Sequence, residues 1–238
     1  MADTSPALAQ ALESAARLQE IVPDAVLVGG AAAALHASHC DSFAHDHVLA
    51  DLSERFDVVL EAIESTDGWV TNRVVPRKII LGELGDIEAG VRQMIRRRPL
   101  ETIEVQLPSG RTLRAPSVNE TLRVKAYLIV SRNQTRDYLD VAALSEQVGP
   151  QVAARILSGI DDYYADQHGH GAGVASQVAR QLADPLPKDA RTTRELHRYK
   201  RLAPRWHDWR DVVAACREVA LSMVVGGVDQ EVTEEGAT

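Results

Sequence analysis

Three observations predict an α+β fold: a mixed sheet with flanking helices, followed by an all-α second half. Short β-rich runs punctuated by Gly and Pro fill most of the stretch between residues 25 and 114. Beyond Pro116 the apolar residues recur at helical spacing instead. A Gly29-Gly30 pair closes the first apolar run and opens onto alanines, which joins strand, turn and helix into one unit. The expected division is 1–115 for the sheet-containing domain and 116–238 for the helical one.

Taken in order, Leu8, Leu12, Ala15 and Leu18 share one face of a helix over Ala7–Glu20, which Pro23 ends. Ala25–Val28 is a short buried strand, and Ala31–Leu35 continues from the glycines as a helix. Phe43–Leu49 suits a second strand. Asp51 or Ser53 can cap a helix carrying Leu52, Phe56, Val59, Leu60 and Ile63, and Asp67-Gly68 turns the chain. Strands are expected at Trp69–Val75, Lys78–Leu81, Ile87–Ile95, Ile103–Leu107 and Thr112–Arg114. Helices follow at Val118–Arg132, Thr135–Gln147, Gln151–Tyr163, Ala175–Ala183 and His207–Met223, with a break at Asp184-Pro185-Leu186-Pro187. The acidic, glycine-bearing end from Gly226 to Thr238 reads as frayed.

With 45% hydrophobic and 25% charged residues among 238, the composition is that of an ordinary globular protein. Its apolar runs are too short to span a bilayer, and Met1 to Pro6 carries no signal-peptide pattern, so a cytoplasmic protein without membrane partners is expected. Cys40 and Cys216 have no nearby cysteine and are expected to be reduced. A net charge of −8 argues against nonspecific coating of nucleic acid, since phosphate binding needs clustered Lys and Arg. Local basic groups exist at Arg92 with Arg96, Arg97 and Arg98, and again at Arg123, Lys125, Arg132 and Arg136; solvated faces are the plainer explanation of both.

The chemistry concentrates in two stretches. After Gly29-Gly30, a strand would place Ser42, Ala44 and Asp46 on one face, where a hydroxyl can meet a phosphate and a carboxylate a metal. Glu88, on a later strand, can complete a metal site with Asp46 or simply face solvent. His36, His39, His45 and His47 match no zinc spacing and are read as surface or packed residues, as are His168 and His170 in a Gly-rich loop. Further on, Lys125 precedes Arg132, Arg136-Asp137 and Asp140. Arg136 and Asp140 lie one turn apart and could be a local ion pair, or Lys125 could neutralise phosphates while an Asp activates a hydroxyl. Trp206 and Trp209 read as anchors of the last helix rather than base-stacking rings.

Taken together, these residues resemble the AbiEii/AbiGii-type toxin family of minimal nucleotidyltransferases, in the DNA polymerase β-like superfamily. Members carry a strand ending in Gly-Gly or Gly-Ser, then R-x-S-x-D-x-D, a later acid on a strand, and a helical segment with K, R and R-D-x-x-D. Here these become Gly29-Gly30, Cys40-Asp41-Ser42-Phe43-Ala44-His45-Asp46, Glu88, Lys125, Arg132 and Arg136-Asp137-Tyr138-Leu139-Asp140, so the match runs from about Val26 to Asp140.

The resemblance implies a nucleotidyltransferase-like sheet domain and transfer of a nucleoside monophosphate from NTP to an acceptor such as tRNA or a protein hydroxyl. It also implies a bacterial toxin–antitoxin or phage-defence setting, with an antitoxin protein as partner. By the same resemblance, Gly29, Gly30, Ser42, Lys125, Arg132 and Arg136 bind the nucleotide, and Asp46 and Glu88 hold Mg2+. Asp46, Lys125, Asp137 and Asp140 then form the catalytic set, and Arg92 with Arg96 to Arg98 meets the acceptor. Two positions depart from the pattern: Cys40 stands where the family has Arg, and Ala44 where it has the first Asp. Losing one of two metal-holding carboxylates is expected to impair turnover severely, which leaves a nucleotide- or RNA-binding regulator of the same fold as the alternative.

Overall fold

The computed structural model describes residues 4–167 and 172–235, with side chains described through residue 225. His168 and His170 therefore lie outside the described residues. The chain divides into two compact units, Met1–Glu120 and Thr121–Thr238.

In the first unit, the Ser5 hydroxyl accepts a hydrogen bond from the Leu8 amide (3.2 Å) and Pro6 occupies the first turn of α1 (Pro6–Ile21). β1 (Val26–Val28) runs straight into α2 (Gly29–Ala37), and β2 (Ala44–Leu49) is followed by α3 (Leu52–Glu64). β3 (Trp69–Val75), β4 (Ile79–Leu84) and β5 (Ile87–Gln93) complete a five-stranded sheet of order β1-β2-β5-β4-β3. Only the β2–β5 pair is parallel, so the sheet is mixed. β6 (Thr102–Gln106) and β7 (Thr112–Pro116) form a separate two-stranded ribbon rather than extending that sheet.

The reason lies just after β5, where Arg96 is buried. Its guanidinium donates to the Arg98 and Pro99 carbonyls (3.0 and 3.2 Å) and to Glu120 Oε1 (2.5 Å), which turns the chain out of the sheet. The strand expected to reach Ile95 accordingly stops at Gln93.

Strand register and burial assign the faces. Leu49, Trp69, Ile80, Leu84, Ala89 and Val91 pack with Leu18, Val22, Leu52, Phe56, Val59 and Ile63 from the helices, forming the main core under α1 and α3. A second cluster joins Leu8, Leu12 and Ala15 of α1 to Ala31 and Ala32 of α2 and to Leu107, Leu113 and Ala115 around the ribbon. Gln19 bonds both the amide and the carbonyl of Arg114 (2.7 and 2.8 Å), tying α1 to β7 as a neighbouring strand would.

The second unit is helical. α4 (Val118–Arg132) begins at Ser117, whose hydroxyl accepts from the Glu120 amide, and carries most of its length in this unit. α5 (Thr135–Val148), α6 (Pro150–Ser158), α7 (Val174–Ala183), the short α8 (Ala190–Arg194) and α9 (Trp209–Glu235) follow. α6 ends before Gly159, earlier than Tyr163 as expected, and a tight turn at Ile160–Asp162 succeeds it. α9 packs against α5, α6 and α7. It also continues to Glu235 where fraying was expected. Residues 236–238 lie outside the described ones. Trp206 is buried, and Trp209 meets the Tyr138 ring edge-on with centroids 6.0 Å apart.

Candidate functional site

In the first unit the site is built where β1, α2 and β2 meet. Val28 is fully extended, Gly29 turns with φ +76°, and α2 starts at once with no side chain capping its first amides. A left-handed φ at that point is where glycine is least strained. Because Val28 pairs with Asp46, the Asp46 carboxylate lies beside the start of α2: a Cβ on Gly29 would come within 3.3 Å of its Oδ2. Ser42 is buried, donates its hydroxyl proton to the Ala44 carbonyl (2.8 Å), and lies 3.8 Å from where a Cβ on Gly30 would be. Gly29, Gly30, Ser42 and Asp46 are thus gathered at one corner. The uncapped amides of a helix start, opened by two glycines, make an environment that favours a phosphate.

The parallel β2–β5 register decides what faces Asp46. Ala44 pairs with Glu88, Asp46 with Gly90 and Val48 with Arg92, which puts all six on the sheet face away from α1 and α3. Arg92 donates from Nε to Asp46 Oδ1 at 3.1 Å, the two side chains being 41% and 40% exposed. Glu88 is exposed beside Ala44, two residue pairs along the strands from Asp46.

This donor set does not fit the paired-metal chemistry that the sequence resemblance implies. Mg2+ takes oxygen ligands in near-octahedral geometry, but position 44 offers a methyl group, position 90 offers no side chain, and Asp46 Oδ1 already faces a guanidinium. Among the described residues, no group of three His, Cys, Asp or Glu side chains poised to hold a metal includes Asp46 or Glu88.

His45 and His47 point to the opposite, helix-covered face and are packed. His45 Nε2 lies 3.0 Å from the Ser14 hydroxyl, and the two imidazoles meet edge-on at 5.2 Å. Burial pushes the His45 pKa down to about 4, the neighbouring Asp46 charge countering it only in part. Burial also holds His47 well below its usual value, reinforced by the neighbouring His45. Cys40 is half-buried, with its sulfur 3.5 Å from His39 Nε2.

In the second unit the sequence-predicted residues sort into two ion pairs and one solvent-facing side chain. Lys125 Nζ meets Asp140 Oδ2 at 2.6 Å, with both side chains at least nine-tenths buried. Arg132 grips Asp137 through Nε and Nη2 (2.7 and 2.5 Å), and Asp137 is fully buried. That fork braces the α4–α5 turn, where Asn133 adopts φ 53° and accepts a hydrogen bond from the Tyr138 hydroxyl (2.6 Å). Arg136 is exposed and joins neither pair, so the Arg136–Asp140 ion pair considered from spacing is not formed; Asp140 is taken by Lys125. In the first unit, Arg96 is withdrawn from the basic run by its buried pair with Glu120, leaving Arg97 and Arg98 exposed.

Two arrangements escaped sequence reasoning. The Arg92–Asp46 pair depends on strand register; its available signal was that Glu88, Gly90 and Arg92 share one side of their strand. Asp189 caps α5 from 54 residues away, accepting from the Thr135 amide and hydroxyl (both 2.7 Å), and no local pattern announces it. Partial burial opposes the Asp189 charge, but these hydrogen bonds outweigh it and hold its pKa below the ordinary value.

No family model matches the chain. A segment of the heme uptake protein MmpL11 of Mycobacterium tuberculosis H37Rv aligns with it at 33% identity, over 90% of this chain and 22% of that protein. The mycolic acid-containing lipids exporter MmpL11 of Mycolicibacterium smegmatis aligns at 39% identity, over 54% of this chain and 13% of that protein. The chain therefore spans about a fifth of the length of the curated relatives it matches, or less. Among solved structures, the nucleotidyltransferase toxin MenT4 of M. tuberculosis H37Rv superposes with a TM-score of 0.58 at 19% identity, covering 91% of this chain and 82% of that one. At that identity the likeness concerns the fold alone: the chain has a nucleotidyltransferase-like fold, with the mixed sheet and flanking helices that its sequence predicts.

Proposed function

We propose that the chain is a nucleotide-binding protein on a nucleotidyltransferase-like fold, holding the phosphates of an NTP at Gly29, Gly30 and Ser42 and lacking the paired-carboxylate metal chemistry of transfer. One observation carries this reading: the uncapped start of α2, two glycines and the Ser42 hydroxyl meet around Asp46, while the next acid position is Ala44. Such a protein would act as a regulator responding to nucleotide or RNA. Titration calorimetry with ATP, GTP, CTP and UTP tests it. At least one is expected to bind, and Gly30→Val, which fills the cradle, should weaken binding by about tenfold or more. Failure of all four to bind refutes the reading.

A second reading keeps the transfer reaction. In it the chain is a toxin–antitoxin or phage-defence protein of AbiEii/AbiGii type in the cytoplasm, moving a nucleoside monophosphate onto an acceptor such as tRNA, with an antitoxin partner. Asp46 and Glu88 would supply the remaining acids, Lys125 and Arg132 the phosphate contacts, and Asp137 or Asp140 the positioning acid. The observation favouring it is that Asp46 and Glu88 share an accessible sheet face. Labelled NTP offered with magnesium and tRNA distinguishes the readings: Ala44→Asp should raise incorporation over the parent chain. If neither protein transfers label to RNA or protein, the transfer reading falls. Among the described residues no helix is long and apolar enough to cross a membrane.

A further inference from the structure

We propose that Arg92 stands in for the divalent ion, so that this chain binds the phosphate chain of a nucleoside triphosphate without a metal. The proposal rests on the nucleotide-binding reading above. Arg92 spends one of its five N–H donors on Asp46, and among the described residues Asp46 is its one partner, so both terminal NH2 groups stay free. A guanidinium held through Nε is a permanently charged fork shaped to take two phosphate oxygens at once.

Gly90 makes the placement possible. It lies directly across from Asp46, and a Cβ there would stand 2.8 Å from Asp46 Oδ1, in the space the carboxylate needs to reach Arg92. Asp46 in turn touches the glycine start of α2, so one carboxylate links the cation to the anion-favouring helix end. A divalent ion at the same carboxylate would find no second acid at Ala44 and would meet the positive charge of Arg92. Cation and cradle are therefore both supplied by the chain itself, and the role given to Arg92 is phosphate binding rather than acceptor binding.

The experiment is calorimetry of the full chain with each NTP, once in EDTA and once in excess magnesium. The expected result is binding in EDTA at least as tight as in magnesium, weakened about tenfold or more by Arg92→Ala and partly restored in Arg92→Lys, which keeps the charge without the fork. Circular dichroism establishes that the variants are folded. Manganese titration followed by electron paramagnetic resonance gives a readout on the unaltered chain. The parent protein should leave Mn2+ free, and Ala44→Asp combined with Arg92→Ala should bind it. Nucleotide binding seen only with magnesium, binding indifferent to Arg92→Ala, or Mn2+ held by the parent chain and lost in Asp46→Asn would each overturn the proposal while leaving nucleotide binding intact. Absence of nucleotide binding under both conditions refutes the nucleotide-binding reading itself and the proposal with it.

Discussion

Asp46 is the residue on which the first unit's chemistry turns, and its surroundings are set by what its neighbours lack. Gly29 and Gly90 leave room on its two oxygens, and Arg92 occupies one of them. Gly90→Ala would force a methyl group against Asp46 Oδ1 and a Leu81 methyl, each 2.8 Å from the new atom. The expected outcome is a loss of about 1–3 kcal/mol, read from the midpoint of urea unfolding. On the opposite face, His45 makes stability depend on acidity. Its folded pKa is about 4 against an ordinary 6.5, so the unfolded chain takes up a proton between these values that the folded chain refuses. Stability should be flat with respect to this group above pH 6.5 and fall as the pH drops toward 4, by about 3 kcal/mol in all. His47 works in the same direction. Urea unfolding at a series of pH values checks this, and His45→Gln should flatten the slope.

At the level of elements, ion pairs at helix ends hold the turns that position the candidate residues. Arg96 and Glu120 are 2% and 0% exposed, and together they fix the exit from β5 and the first turn of α4. Removing one partner of a buried pair strands the other charge, so Glu120→Ala is expected to cost about 3–5 kcal/mol. Arg97→Ala, at an exposed position of the same basic run, should stay within about 0.5 kcal/mol, and thermal unfolding of the two variants side by side checks the contrast. The Arg132–Asp137 fork does comparable work at the α4–α5 turn. Both oxygens of Asp137 are occupied there, which suits a brace better than a proton acceptor.

For the whole molecule, the charge of −8 sets the character of any binding. An acidic protein gains no general affinity for polyphosphate from its overall field, so recognition has to come from local donors such as the α2 start and Arg92. If those donors bind NTP, ligand and folding are linked: at a free concentration of about 100 times Kd the native state gains about 2.7 kcal/mol. Thermal unfolding followed across a nucleotide titration should therefore show a rising midpoint, and the rise should be lost in Gly30→Val.

Much of the fold was legible because it rests on local patterns. Alternation in the strands, helical spacing after Pro116, and the glycines and prolines that end elements all act within a few residues of themselves. The Gly29-Gly30 turn, and the side that Ala44 and Asp46 share, follow from the same short-range periodicity, whereas Ser42 lies before the strand and is buried. Strand pairing does not. That β5 lies parallel to β2, with Gly90 against Asp46 and Arg92 two residues beyond, depends on contacts 44 or more residues apart, and a slip of one residue would turn Arg92 to the other face. The same holds for Lys125 with Asp140, Arg96 with Glu120 and Asp189 with Thr135, whose partners meet only once helices and loops are packed. The sequence by itself determined which residues carry charge, hydroxyl and backbone freedom; the tertiary structure alone decided which of those charges meet, because ion pairing is a matter of distance in space.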